Sequence, residues 1–265
     1  MDDDYQTYLN RLARMTLPES YQAQVQHIQE SYKYQLAPNQ KRQAAPFPGY
    51  TIITPPSEED AKNTDFYVNL QKYQAQLLNL PIDAELIVPL PSTSFHLTIA
   101  DLIWDSAYRD QCIRNPNYES DLQFCCAKIF DSYGQVPQLS SIRFSVLGIM
   151  IMPRAIGVCL VPQDRNSYEQ IINFRRSLYQ NSQLISLGIE QNYHLTAHIT
   201  LGYFGEVAPD LDRQSLAQMI SDLNQQWLGN LPEFLAHRAE LRKFDDMTRY
   251  YRQPEWAAID LGARD

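Results

Sequence analysis

Three short runs in this chain place an imidazole and a hydroxyl two residues apart: His96-Leu97-Thr98, His194-Leu195-Thr196 and His198-Ile199-Thr200. An extended strand turns residues i and i+2 to one face, so each run presents ring and hydroxyl side by side. Random placement of the chain's five His and ten Thr would give about 0.2 such runs. One His on a strand is ordinarily a hydrogen-bonded structural residue. Two such pairs, about a hundred residues apart along the chain, are a different signal. Two imidazoles that titrate near neutrality can serve as base and acid, and two hydroxyls can donate to charge building on oxygen. These are the groups needed to break a phosphodiester without a metal.

The gap between the first and last runs leaves room for a second lobe resembling the first, with two apolar strands facing each other across a cleft. Gly49 to Thr54 reads as a strand ended by Pro55-Pro56. Ser57-Glu58-Glu59-Asp60 has the acidic start of a helix, and apolar residues continue to Leu80. Ala84 to Leu90 and Phe95 to Ile103 read as a hairpin turning at Pro91-Ser92-Thr93-Ser94. Tyr118 to Tyr133 has helical spacing, Ile142 to Met152 and Ala155 to Val161 form a hairpin turning at Pro153-Arg154, and Ser167 to Tyr179 is a helix. Tyr193 to Phe204 carries the second motif, followed by a helix from Asp210 to Trp227 and strands at Phe234 to Lys243 and Trp256 to Leu261. Ahead of all this, Tyr5, Leu9 and Leu12, then Tyr21, Val25, Ile28 and Tyr32, recur at helical spacing, and 38 to 48 reads as a loop. The first 45 residues are therefore expected to add a helical pair that packs on the rest.

A length of 265 residues with 44% hydrophobic content suits one large domain or two lobes sharing a cleft. A net charge of −9 argues against long nucleic acid as partner, which calls for an electropositive surface, and leaves room for a small anion in a locally basic pocket. The acidic start and the interruption of the longest apolar stretch by Pro153-Arg154 point away from a secretory signal and a membrane span, toward a cytoplasmic location. Cys125 and Cys126 are adjacent and Cys112 and Cys159 stand alone, which suits buried reduced thiols rather than a zinc knuckle or disulfides. No Gly-rich phosphate loop, G-x-S-x-G or H-E-x-x-H occurs. His194 and His198 would chelate a metal only on a helix, and the Thr and Ile content favours a strand, so neither metal nor cofactor is expected.

Phe-His96-Leu-Thr98 and His198-Ile-Thr200-Leu, each on an apolar strand, resemble the paired motifs of the 2H phosphoesterase superfamily, which includes RNA 2′,3′-cyclic phosphodiesterases and 2′-5′ RNA ligase-like proteins. The resemblance covers roughly residues 45 to 262 and is specific for the superfamily, not for a member. It implies an α+β fold of two pseudo-symmetric lobes of antiparallel sheet with helices outside and a cleft between, here following an N-terminal helical extension (1–45 and 46–265). It assigns His96 and His198 as catalytic and Thr98 and Thr200 as phosphate-binding. His194-Thr196 copies the neighbours of motif one more closely, but the superfamily's usual His, apolar, Thr, apolar order favours His198-Thr200 and leaves His194 as a supporting or exposed group. Tyr203, Arg175, Arg249 and Tyr250, with Arg176, Arg242 and Lys243 behind them, are candidates for a substrate wall. His27 and His237 receive a structural reading. The implied activity is metal-independent hydrolysis of a 2′,3′-cyclic or 2′-linked phosphodiester in a small nucleotide or short RNA end. The alternatives are an RNA ligase-like or end-processing enzyme, and a nucleotide-binding sensor that keeps the cleft. No membrane or protein partner is indicated.

Overall fold

The computed structural model describes residues 2–38, 41–136 and 139–262. Asp4 caps the first helix by accepting from the Thr7 N–H at 3.0 Å, and α1 (Tyr5–Thr16) is followed by α2 (Pro18–Gln24), which starts on a proline. Tyr8, Leu12, Tyr21 and Val25 are fully buried, so the apolar stripe of this pair is packed within the same molecule. The stripe stops earlier than its spacing suggests. Past a 3-10 turn at Val25–His27 the backbone is extended, and the N–H groups of Gln29 and Ser31 donate to Pro153 and Phe204. Ile28 and Tyr32 are thereby drawn out of the helix. A hairpin of β1 (Tyr34–Leu36) and β2 (Arg42–Ala44) follows, so the region expected as a loop contains a short strand; its positions 39 and 40 lie outside the described residues.

The chain continues through β3 (Gly49–Ile53), α3 (Thr64–Leu78), β4 (Ile87–Pro89), β5 (Thr98–Trp104), α4 (Asp105–Arg114), α5 (Tyr118–Tyr133), β6 (Ile142–Ile151) and β7 (Ala155–Pro162). Then come α6 (Arg165–Tyr179), α7 (Ser182–Ser186), β8 (His198–Phe204), α8 (Arg213–Trp227), β9 (Phe234–Ala236), β10 (Arg238–Phe244), β11 (Tyr250–Tyr251) and β12 (Ala258–Asp260). Two five-stranded antiparallel sheets result. One has the order β11-β10-β3-β5 with β12 also on β10, and the other has the order β4-β8-β7-β6-β9. The class is α+β, with helices packed around two sheets that each carry one motif strand.

Two expected connections differ from the structure. Residues 84–90 and 95–103 form no hairpin: β4 joins β8 in the second sheet while β5 joins β3 in the first. Pro89 and Pro91 deprive the intervening chain of donors, and a 3-10 turn at Ser92–Ser94 redirects it. Residues 234–243 likewise divide into β9, on β6, and β10, on β3. At that crossing His237 Nε2 lies 2.9 Å from Asp60 Oδ1, and the Asn63 amide bonds both backbone groups of Leu235. This accounts for His237 as a structural residue. Cys125, Cys126 and Cys159 are buried free thiols, and Cys112 is half-buried. Among the described residues no helix is long and apolar enough to cross a membrane.

Candidate active site

Both motif strands break their alternation at the same place. Along β5 the register runs Ile53 to Thr98 and then Ile52 to Ala100, skipping Ile99; along β8 it runs Gly157 to Thr200 and then Ile156 to Gly202, skipping Leu201. A bulge at the residue after each threonine reverses the parity of the rest of the strand. The third residue after the threonine therefore returns to the threonine's side, which brings Asp101 beside Thr98 and Tyr203 beside Thr200 on the wall of one cavity. A second skip, at Leu102, adds Trp104 in the same way. Asp105, with φ of 50°, then takes the left-handed region and turns the strand into α4.

Each bulge is held by a polar side chain from a helix. The Arg175 guanidinium, on α6, donates to the carbonyl of Ile99, and Gln74 Nε2, on α3, donates to the carbonyl of Leu201 at 2.7 Å. The same groups hold a second carbonyl each, Tyr193 O at 3.1 Å and Leu90 O at 2.8 Å. The helix of each half thus supports the motif of the other. Gly157, opposite the bulge in β8, allows the close approach, since a Cβ there would lie 2.5 Å from Ile199 O.

The two imidazoles are set in matching fashion. His96 Nδ1 is 2.7 Å from Ser94 O and His198 Nδ1 is 2.7 Å from Thr196 O, in each case the carbonyl two residues back. A carbonyl can only accept, so Nδ1 carries the proton and Nε2 is the titrating nitrogen in both rings. His96, Thr98, His198 and Thr200 all line a cavity of about 220 Å³ between the sheets. Burial pushes His96 down to about 4; the Ser94 carbonyl opposes this, while His198 and Arg242 add to it. Burial also lowers His198, against the Thr196 carbonyl and the Asp101 carboxylate, with Lys33 lowering it further. Both rings are therefore neutral near pH 7, and His198 alone has a carboxylate favouring its cation.

The overlapping motifs separate in space. His198 and Thr200 share the cavity with His96 and Thr98, whereas His194 and Thr196 precede β8 and line an adjoining chamber of about 410 Å³. There His194 Nδ1 lies 3.4 Å from Asp3 Oδ1, and Thr196 Oγ1 accepts from Arg11 at 2.9 Å. Tyr203 and Tyr250 line the cavity, and the Tyr250 ring lies 4.2 Å from that of His96. The candidate arginines are elsewhere. Arg175 is buried on the two carbonyls, Arg249 is exposed away from the cavity lining, Arg176 pairs with Asp2 and Arg242 with Glu59 and Glu240. Lys243 pairs with Glu119 at 2.6 Å.

Sequence reasoning passed over Asp101, Trp104 and Lys33. The first two follow from the bulge, and the signal for Asp101 was a Thr-plus-three spacing shared with Tyr203. Lys33 had none: it reaches the cavity from the N-terminal segment. Among the described residues, no group of three or more His, Cys, Asp or Glu is gathered to hold a metal ion.

Residues 37–113 match the family model 2H-phosphodiest, described as a domain of unknown function (DUF1868). The match spans motif one and ends before motif two. No curated protein matches. Among solved structures, the chain is similar to the conserved protein of unknown function ATU0111 from Agrobacterium tumefaciens strain C58, with 12% identity over 92% of this chain and 97% of that one and a TM-score of 0.59. It is more distantly similar to TT0787 of Thermus thermophilus, at 13% identity, 82% and 99% coverage and a TM-score of 0.45. Escherichia coli LigT complexed with 3′-AMP gives 14% identity, 82% and 99% coverage and a TM-score of 0.42. The family-model match thus covers the segment that contains β3 and β5, and over that segment the chain is similar to the 2H phosphodiesterase model.

Proposed function

We propose that the protein is a metal-independent phosphodiesterase that hydrolyses a 2′,3′-cyclic or 2′-linked phosphodiester of a small nucleotide or short RNA end. The observation that carries this reading is the matched setting of the two imidazoles, each with Nδ1 on the carbonyl two residues back and each beside a threonine in one cavity. Two neutral rings with free Nε2 atoms suit a base and, once an anionic phosphate has entered and raised their basicity, an acid.

The charge around them supports one division of roles. His96, pushed down chiefly by burial and also by Arg242, is the base; its Nε2 takes a proton from water, whose oxygen attacks phosphorus. His198, favoured as a cation by Asp101, is the acid; its Nε2–H is given to the ribose oxygen as the P–O bond breaks. The Thr98 and Thr200 hydroxyls donate to the nonbridging oxygens as their charge grows. Tyr250 and Trp104 supply aromatic surface for a base or sugar.

The test is turnover of a panel of 2′,3′-cyclic, 3′,5′-cyclic and 2′-5′-linked nucleotides in the presence of chelator. Turnover should follow a bell-shaped pH profile and fall about 100-fold or more in His96→Ala and in His198→Ala. Full activity in either variant would refute the roles, and loss of activity on chelation would refute the metal-independent mechanism.

A further inference from the structure

The N-terminal segment has a part in this cavity that its helices do not suggest. Among the described residues that line it, Lys33 is the only lysine or arginine and Asp101 is the only carboxylate. The chain as a whole carries a net charge of −9, so an anionic substrate meets a repulsive surface and depends on local positive charge. The two imidazoles supply none while they are neutral. The candidate arginines stand elsewhere: Arg175 on carbonyls, Arg176 and Arg242 on carboxylates, and Arg249 exposed away from the lining.

Lys33 is built into place. Ser31, buried, donates its N–H to Phe204 O at 2.8 Å, tying this stretch to the end of the second motif strand, and Lys33 O accepts from Ala45 N–H at 2.9 Å. The ammonium lies 4.8 Å from the centre of the Phe47 ring and 5.0 Å from that of Tyr203, and it donates to Tyr203 Oη at 3.4 Å. Among the described residues no carboxylate forms an ion pair with it. Aromatic faces hold an ammonium without neutralising it. The site is thus charged unevenly: three residues beyond Thr98 stands a carboxylate, and three beyond Thr200 stands a tyrosine that carries the Lys33 ammonium.

We infer that Lys33 receives the anionic phosphate of the substrate, so that the N-terminal segment completes the substrate site from outside the two motif-bearing sheets. The ligand class is a phosphate ester with its negative oxygens on the Lys33 and Thr200 side and its hydrogen-bond-donating sugar hydroxyls toward Asp101. This rests on the phosphodiesterase reading for turnover, but it can be read independently through binding.

The experiment compares the full chain with Lys33→Met and Lys33→Arg. Inorganic phosphate is titrated against each by calorimetry, and the active nucleotide from the panel is assayed at low and high salt. Lys33→Met is expected to weaken phosphate binding about tenfold and to raise KM by a similar factor with kcat changed less than about threefold. Lys33→Arg should restore most of both, and the salt dependence should flatten in Lys33→Met alone. Equal phosphate affinity in all three proteins would overturn the inference whether or not any nucleotide is turned over. Loss of phosphate binding in Lys33→Met with rescue by arginine would support it even if no nucleotide is hydrolysed, in which case the phosphodiesterase reading alone falls. If Lys33→Met melts well below the parent, Lys33→Gln replaces it and the same comparison decides.

Discussion

Replacing Gln74 with methionine keeps the length of the side chain and removes its amide. Two buried carbonyls then lose a donor: Leu90 O, bonded at 2.8 Å, and Leu201 O, bonded at 2.7 Å. Leu201 O keeps a second donor, the Leu90 N–H at 3.0 Å, so the larger cost falls on Leu90 O. An orphaned buried carbonyl costs about 1–3 kcal/mol, and allowing partial relief at Leu201 the sum is about 2–4 kcal/mol. For a chain of this size that corresponds to a fall in Tm of roughly 5–15 °C. The functional effect is separate. The Leu201 bulge is what returns Tyr203 to the side of Thr200, and a displacement of about 1 Å at such a group can cost on the order of 100-fold in rate. Gln74→Met is therefore expected to lower kcat by about 10- to 100-fold, with a smaller change in KM, when assayed at about 20 °C and well below its own Tm. Thermal melting and steady-state kinetics on the same preparation check this. A variant that loses the expected stability yet keeps its kcat would refute the claim that the helix amide positions the site through the bulge.

The counterpart in the first lobe is Arg175→Lys, where one ammonium replaces a fork that reaches both Ile99 O and Tyr193 O; kcat is expected to fall about 5- to 20-fold, read against melting as above. Asp101→Asn removes the carboxylate that favours the His198 cation, so the alkaline limb of the pH–rate profile should move to lower pH and the rate at about pH 8 should fall several-fold more than that at about pH 6. Movement of the acid limb instead would exchange the roles of the two histidines. Stability carries a pH signature too. Because His96 is pushed from its ordinary value to about 4, the unfolded chain binds more protons between about pH 6.5 and 4, and the contribution of His96, complete above that window, declines by roughly 3 kcal/mol as pH falls through it. Denaturant melts of His96→Gln should show a shallower decline across that window than the parent, and identical slopes would discount the burial argument.

What could be read in the chain was local. Tyr118–Tyr133 and the β6–β7 hairpin form from patterns within a few turns of sequence, and the structure places both elements where their periodicity put them. The two motifs were legible because a period of two brings His and Thr to one face. Period-two reasoning does not carry past Thr98, since the extra residue at Ile99 reverses the faces and hides Asp101, and a second at Leu102 intervenes before Trp104. The partners of β4 and β9 were not legible either, because Pro89, Pro91 and the bond between His237 and Asp60 decide which sheet receives a strand only once both sheets exist. Lys33 depends on contacts with residues more than a hundred positions away, such as Tyr203, and nothing local announces it.

The position of β10 has a consequence for the order in which the molecule can be made. It lies between β11, β12 and β3, and it pairs with β3 from Glu240 to Phe244 against Ile53 to Gly49. During synthesis the second sheet is complete once β9 has emerged, but β3 and β5 then stand as a two-stranded ribbon with an open edge. That ribbon is too small to be stable alone, so the half bearing His96 must wait for the stretch from Arg238 onward. A nascent chain arrested before Arg238 would thus hold one histidine in a formed sheet and the other in an unfinished one. Neither imidazole gains its partner across the cleft until β10 has closed the first sheet.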